Sequence, residues 1–325
     1  MNDKTQHLEV MNTFIRFCST KWLCYCLATL YVSTSSAQPL FDIHLHYNAR
    51  DKEQFSPQQI IAILERNAIQ HALVTSMPAQ HAMQLNQQAP KRILPLLGVY
   101  RIPEDKEIWT QDASLPSRIE AQLKQGQWRG IGELHMFAKD RHSPVFARII
   151  QLAQEHRLPL LLHTDPAVID TIYELAPGQP VIWAHAGTFP YPDLIADYLT
   201  RYPALHVGLS VRDERIAPNG VLNDAWYELF INYPNRFMVG VDTYSLARWQ
   251  SFDDVVTKIR RWLQDLPEHI ARRLAYDNAA ALFAKSETNK APSPDRISRQ
   301  TVPVSTNQPK TKKNLPTNRC IEYFQ

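Results

Sequence analysis

From Gln38 to Phe283 short apolar runs alternate with longer amphipathic stretches, the rhythm of a strand followed by a helix repeated around a parallel sheet. Eight runs read as strands, at 40–46, 71–76, 93–100, 130–135, 159–163, 180–185, 205–210 and 237–242. The better-marked helices between them fall at 57–68, 115–124, 144–156, 192–201 and 252–266, and Pro57, Pro144 and Pro192 open theirs where a missing amide hydrogen does least harm. Eight such pairs in about 245 residues match a closed (β/α)8 TIM barrel, with a doubly wound open sheet as the alternative α/β fold. A terminal helix is expected over 268–283.

The segments outside this rhythm have a different character. Residues 1–37 read as an upstream extension and a secretory signal: Arg16 and Lys21, an apolar run at 22–32, and Ser35-Ser36-Ala37 as a cleavage site, which implies a periplasmic or secreted protein. The run is too short for a stable membrane span. Residues 285–325 are rich in Ser, Thr, Pro, Asn, Gln and Lys and read as a disordered basic tail. That leaves 38–284 as the barrel domain.

Charge follows the same division. The chain carries a formal +3, but the tail has eight Lys or Arg against three Asp or Glu, so the middle is mildly acidic. The barrel gives no ground for a nucleic-acid groove, and a small-molecule substrate is expected. Three of the four cysteines, Cys18, Cys24 and Cys26, lie in the presumed signal, and the fourth, Cys320, lies in the tail. A disulfide framework, a cysteine nucleophile and a cysteine-bound zinc are thereby excluded from the barrel. Any metal there is held by His, Asp and Glu.

Such residues recur at strand ends. His44 and His46 alternate on the first strand, so both can face the barrel axis while Ile43 and Leu45 face the helices. The fifth run ends on His163, the sixth on His185 and the eighth on Asp242, each after a string of apolar residues, at the end where barrel enzymes place their active sites.

This set resembles the amidohydrolase superfamily, in particular its amidohydrolase-related branch. The closing Tyr276-Asp277-Asn278-Ala279-Ala280-Ala281-Leu282-Phe283 is similar to an ending common there. The resemblance implies that His44, His46, His163 and Asp242 approach a divalent cation, that His185 is a second-metal ligand or a catalytic acid or base, and that Asp242 takes a proton from the activated water. It implies one or two ions, zinc before manganese or iron. The fourth strand departs from the binuclear members that carry a carboxylated lysine: it reads Gly130-Ile131-Gly132-Glu133-Leu134-His135. Glu133 either replaces that bridge, as in the TatD-like deoxyribonucleases, or lies near a single metal.

Arg101 after the third strand, His135 on the fourth and Arg212 after the seventh are candidate substrate contacts, and Tyr244, Trp183 and Phe189 candidate pocket walls. The expected activity is hydrolysis of a small ester, lactone or amide by metal-activated water. The alternatives are metal-dependent decarboxylation of an aromatic or unsaturated acid, and a secreted, non-catalytic binding barrel.

Overall fold

The computed structural model describes residues 37–288. The expected signal and basic tail lie outside them, except at their inner edges.

Eight parallel strands form one sheet in sequence order: β1 (Leu40–His46), β2 (Ile69–Thr75), β3 (Ile93–Leu97), β4 (Gly130–Met136), β5 (Leu160–Thr164), β6 (Val181–Trp183), β7 (Leu205–Gly208) and β8 (Phe237–Met238). The seam between β8 and β1 is closed by Ile43 N donating to Val239 O at 3.1 Å and Asp242 N to His44 O at 2.7 Å. Thr243 Oγ1 adds a pair, accepting from His46 N and donating to His46 O. This is the expected (β/α)8 barrel, with helices between the strands. Local chemistry sets the helix starts: Ser56 and Gln59 form a reciprocal cap before Pro57–Arg66, and the Ser143 hydroxyl accepts from Val145 N and Phe146 N before Pro144–Glu155.

Two apolar layers result. The larger lies between strands and helices and includes Leu45, Val74, Leu134, Leu162 and Val207. The smaller fills the barrel interior with Phe41, Ile43, Leu73, Leu94, Leu96, Leu161, Ile182 and Met238. Its floor is Ala279 and Phe283 of the terminal segment, with the Phe283 ring 5.7 Å from Phe41. That segment runs Glu268–Arg272, a wider π turn Arg273–Asp277, then Asn278–Thr288, so the last helix passes the expected end at Phe283. None of the described helices is long and apolar enough to cross a membrane.

Two of the register shifts in the sheet bear on the site. Between Asp42 and Leu45, β1 has one residue more than its partner β2, and between Ile131 and Leu134, β4 has one more than β5. Each extra residue is a bulge that puts two neighbours on the same side. Ile43 therefore points into the barrel interior with His44, and does not face the helices as simple alternation requires. On β4 the bulge is Gly132-Glu133. Gly132 has φ +142°, and a Cβ there would sit 2.4 Å from Leu161 O, so glycine alone fits. The Thr75 hydroxyl donates to Gly132 O at 2.6 Å.

Candidate metal centre

Every strand-end residue singled out for metal binding reaches the same end of the barrel. Glu133 is the middle of the cluster. Its Oε2 lies 3.4 Å from His44 Nε2, 3.3 Å from His46 Nε2 and 3.6 Å from His135 Nε2. Its Oε1 lies 3.2 Å from His185 Nε2 and 3.6 Å from His163 Nδ1. Asp242 closes the other side, with Oδ1 3.2 Å from His46 Nε2 and Oδ2 3.7 Å from His185 Nε2. Two carboxylates thus face five imidazoles in a largely buried space.

The donors fall into three overlapping sets, each with ligand atoms within 4.8 Å of one another: His44, His46 and Asp242; His44, Glu133 and His185; and Glu133, His135 and His163. His163 is therefore not grouped with His44, His46 and Asp242 as expected. It comes from β5, and the Glu133 carboxylate stands between it and the β1–β8 side. His135, expected to contact substrate, joins the set around His163, and their rings stack at 5.0 Å.

The site is built partly from unusual backbone. The expected strands 180–185 and 237–242 stop at Trp183 and Met238, and His185 (φ 60°) and Asp242 (φ 58°) follow in left-handed conformation. Ala186 and Val211 share it. Such conformations cost energy in non-glycine residues and here gather at one end of the barrel. Arg248 steadies the β8 side by hydrogen bonds to the carbonyls of Val241 and Asp242.

A second layer orients the imidazoles. Ser210 Oγ lies 3.1 Å from both His44 Nδ1 and His185 Nδ1, turning each Nε2 toward Glu133. Trp109 Nε1 donates to His135 O at 3.0 Å and the Tyr100 hydroxyl accepts from His135 N at 2.7 Å. Asp42 Oδ1 accepts from His44 N at 3.0 Å and from Val241 N at 3.1 Å, joining the β1 bulge to β8, while Oδ2 is buried without a hydrogen-bond partner among the described residues. Ser210, Asp42 and Thr243 were not singled out from the sequence. Ser210 carried the same signal as the histidines, a polar residue ending an apolar run.

The electrostatics favour a cation. Burial works to raise the Glu133 carboxyl, but His44 beside it and hydrogen bonds to His163, His185 and His44 hold it well below the usual range. Asp242 is likewise raised by burial, yet His44 and His46 hold it at about 2. Burial opposes a charge on His46, but hydrogen bonds with Asp242 and Glu133 push it up to about 10. His185 is lowered by burial, and burial takes His135 down to about 3. Two ionised carboxylates at the centre thus call for positive charge. His44 Nε2 and His46 Nε2 face each other at 3.2 Å, an approach that needs a proton or a cation beside the lone pairs, and buried Asp242 Oδ1 stands 3.2 Å from the same His46 nitrogen. The residues fit a divalent metal.

Above the donors lies a cavity of about 500 Å³, lined among others by Lys106, Arg212 and Tyr244. Arg212 reaches it with its guanidinium bonded to the carbonyls of His185 and Gly187. Arg101 does not line it; the side chain is exposed and paired with Asp105. Of the candidate walls, Tyr244 lines the cavity, Trp183 is core with its Nε1 on Thr164 O, and Phe189 is exposed away from it.

Comparison with known proteins agrees with this geometry. The profile of a family described as TatD related DNase matches residues 41–183, a stretch that includes His44, His46, Glu133, His135 and His163. No curated protein matches the chain. Among solved structures, an amidohydrolase from Burkholderia multivorans with bound HEPES is 17% identical, covers 76% of this chain and 99% of its own, and superposes with a TM-score of 0.50. A probable 2-pyrone-4,6-dicarboxylic acid hydrolase from Acinetobacter baumannii with citric acid bound is 16% identical, covers 75% and 99%, and gives 0.52. A hydrolase of the TatD family from Entamoeba histolytica is 12% identical, covers 76% and 99%, and gives 0.51. The profile match accords with the resemblance read from the strand-end residues, and the solved structures share the barrel fold.

Proposed function

We infer that this chain belongs to the amidohydrolase superfamily and is a metal-dependent hydrolase that cleaves a small ester, lactone or amide, with zinc at the barrel mouth. The observation that carries the reading is one buried carboxylate, Glu133, within 3.6 Å of five imidazole nitrogens. His44, His46 and Asp242 would hold one ion, and His163 with His135 or His185 a second, with Glu133 shared between them. A divalent cation so held supplies Lewis acidity, which makes water acidic enough to be a nucleophile near neutral pH.

The remaining work falls to the chain's own side chains. Asp242, whose Oδ1 lies 3.2 Å from His46 Nε2 at the cavity, takes the proton from the attacking water as the oxygen adds to the substrate carbonyl. It then gives that proton to the leaving oxygen or nitrogen as the carbon–heteroatom bond breaks. Ser210 keeps His44 and His185 turned inward, and the floor of the barrel keeps bulk water to one side.

A cavity of about 500 Å³ suits a small molecule. The TatD likeness favours a phosphodiester as the second reading. Residues 1–37 support export to the periplasm or beyond as part of the same proposal.

The test is metal content by mass spectrometry after dialysis against zinc, followed by turnover of 4-nitrophenyl esters, lactones, anilides and bis(4-nitrophenyl) phosphate. We expect one to two zinc ions per chain, turnover of an ester or lactone, and a fall in kcat of about 10²–10⁴ in Asp242→Asn. A protein that takes up no metal, or turns over nothing in the panel when loaded, refutes the reading. Preferential cleavage of the phosphodiester replaces it with the second one.

A further inference from the structure

The cavity above the donors presents two cationic side chains, and they differ in what they are free to do. Arg212 is engaged, with Nε donating to His185 O at 2.7 Å and Nη2 to Gly187 O at 3.2 Å, so it braces the turn after β6. Lys106 is half-buried and has no carboxylate partner among the described residues. Its Nζ lies 3.4 Å from His135 Nε2 and 5.9 Å from the centre of the Tyr100 ring.

The chain holds that ammonium in place deliberately. Lys106 rides on the single turn Asp105–Ile108 that follows β3. Asp105 accepts from the Arg101 backbone N at 2.8 Å and from two nitrogens of its guanidinium at 3.0 Å, which fixes the start of the turn. Trp109, just after the turn, is tied to His135 O on β4. Arg101 is thus a positioning residue for the turn that carries Lys106, and the side chain that reaches the cavity is Lys106.

We propose that Lys106 is the anchor for a carboxylate carried by the substrate, at the opposite end of the molecule from the bond that is cut. The inference rests on the hydrolase reading and adds to it the class of substrate. Nζ is 3.4 Å from His135 Nε2, which is 3.6 Å from Glu133 Oε2, so the ammonium is within about 7 Å of the central carboxylate. An ammonium–carboxylate contact of about 2.8 Å places the substrate's anionic group only a few bonds from its scissile carbonyl. One compact positive charge matches one carboxylate. A phosphate monoester would bring a second negative charge toward Glu133 and Asp242, and among the described residues that line the cavity Arg212, the other Lys or Arg, is already bonded to backbone carbonyls.

The experiment is calorimetric titration of the zinc-loaded full-length protein, as wild type, Lys106→Met and Lys106→Arg, with glutarate, butyrate and inorganic phosphate. Butyrate offers one carboxylate, and glutarate a second at the reach of Lys106. We expect the wild type to bind glutarate at least ~10-fold more tightly than butyrate, Lys106→Met to lose that preference, and Lys106→Arg to keep part of it. Butyrate affinity and zinc stoichiometry stay the same in all three, which separates loss of an anchor from a damaged fold. A wild type without the preference, a preference that survives in Lys106→Met, or phosphate as the ligand that Lys106→Met loses, each overturns the proposal. These titrations involve no turnover, so failure of the hydrolase reading would show in the ester and lactone assays and not here.

Discussion

Asp42 offers the sharpest test of how the site and the barrel depend on each other. Its carboxylate stands where the β1 bulge meets the β1–β8 seam, and Oδ1 is the acceptor for both His44 N and Val241 N. Asp42→Ala strands two buried donors, at about 1–3 kcal/mol each, so a loss of about 2–6 kcal/mol is expected. Asp42→Asn keeps a carbonyl oxygen in the same place, and the comparison with it carries a pH signature. Burial raises the Asp42 carboxyl from its ordinary value to about 7 against the pull of its backbone hydrogen bonds. A carboxyl raised on folding favours the folded state while protonated; that contribution is complete below the unfolded value of 3.8 and is lost as pH climbs through about 7. Between pH 5 and 8 the wild type should therefore lose roughly 2–3 kcal/mol relative to Asp42→Asn. Urea unfolding of both proteins at the two pH values, with chelator present so that metal linkage cancels, measures this difference. A difference that stays flat across the interval, or an alanine variant as stable as wild type, would refute the account of Asp42 as a protonated clip.

Three further outcomes follow from the site and the floor. Because hydrogen bonds with Asp242 and Glu133 push His46 up to about 10, its contribution to metal-free stability is full below about 6.5 and disappears as pH rises through 10. Zinc binding near pH 7 must displace that proton, so calorimetry in buffers of different ionisation enthalpy should record net proton release, and none would contradict the charge balance drawn here. In Gly132→Ala the new methyl meets Leu161 O, so a loss of at least about 2 kcal/mol and weaker zinc binding are expected; normal zinc affinity would show that the bulge does not aim Glu133. Phe283→Ala removes a buried ring stacked on Phe41 and should cost about 3–5 kcal/mol by thermal unfolding with zinc stoichiometry retained, whereas lost stoichiometry would mean that the floor shapes the site directly.

The parts of this molecule that obey simple periodicity were legible in the chain. The eight strands and the positions of His44, His46, His163, His185 and Asp242 follow from apolar runs that end in a ligand-type side chain, because a barrel buries its strands and exposes their carboxyl ends; Glu133 follows instead from the family resemblance, as the carboxylate where other members carry a modified lysine. What periodicity misses is a change of phase. Nothing in Asp42-Ile43-His44 announces that Ile43 and His44 share a side, since a bulge is set by the neighbouring strand's register and by the acceptor that Asp42 supplies. The grouping of His163 with His135 is equally a matter of three dimensions, fixed by where β5 sits relative to Glu133. Arg101 shows the limit for loops: its residue type and place suited a substrate contact, yet the turn closes on Asp105 and presents the following lysine instead.

The apolar floor formed by Phe41, Phe283 and their neighbours makes the chamber a cul-de-sac. Under the hydrolase proposal, what enters the cavity beside Tyr244 leaves on the same side, so products share that side with fresh reactant. A bulky departing fragment gains by never entering, remaining outside the rim while only the reacting end is drawn down toward the histidines.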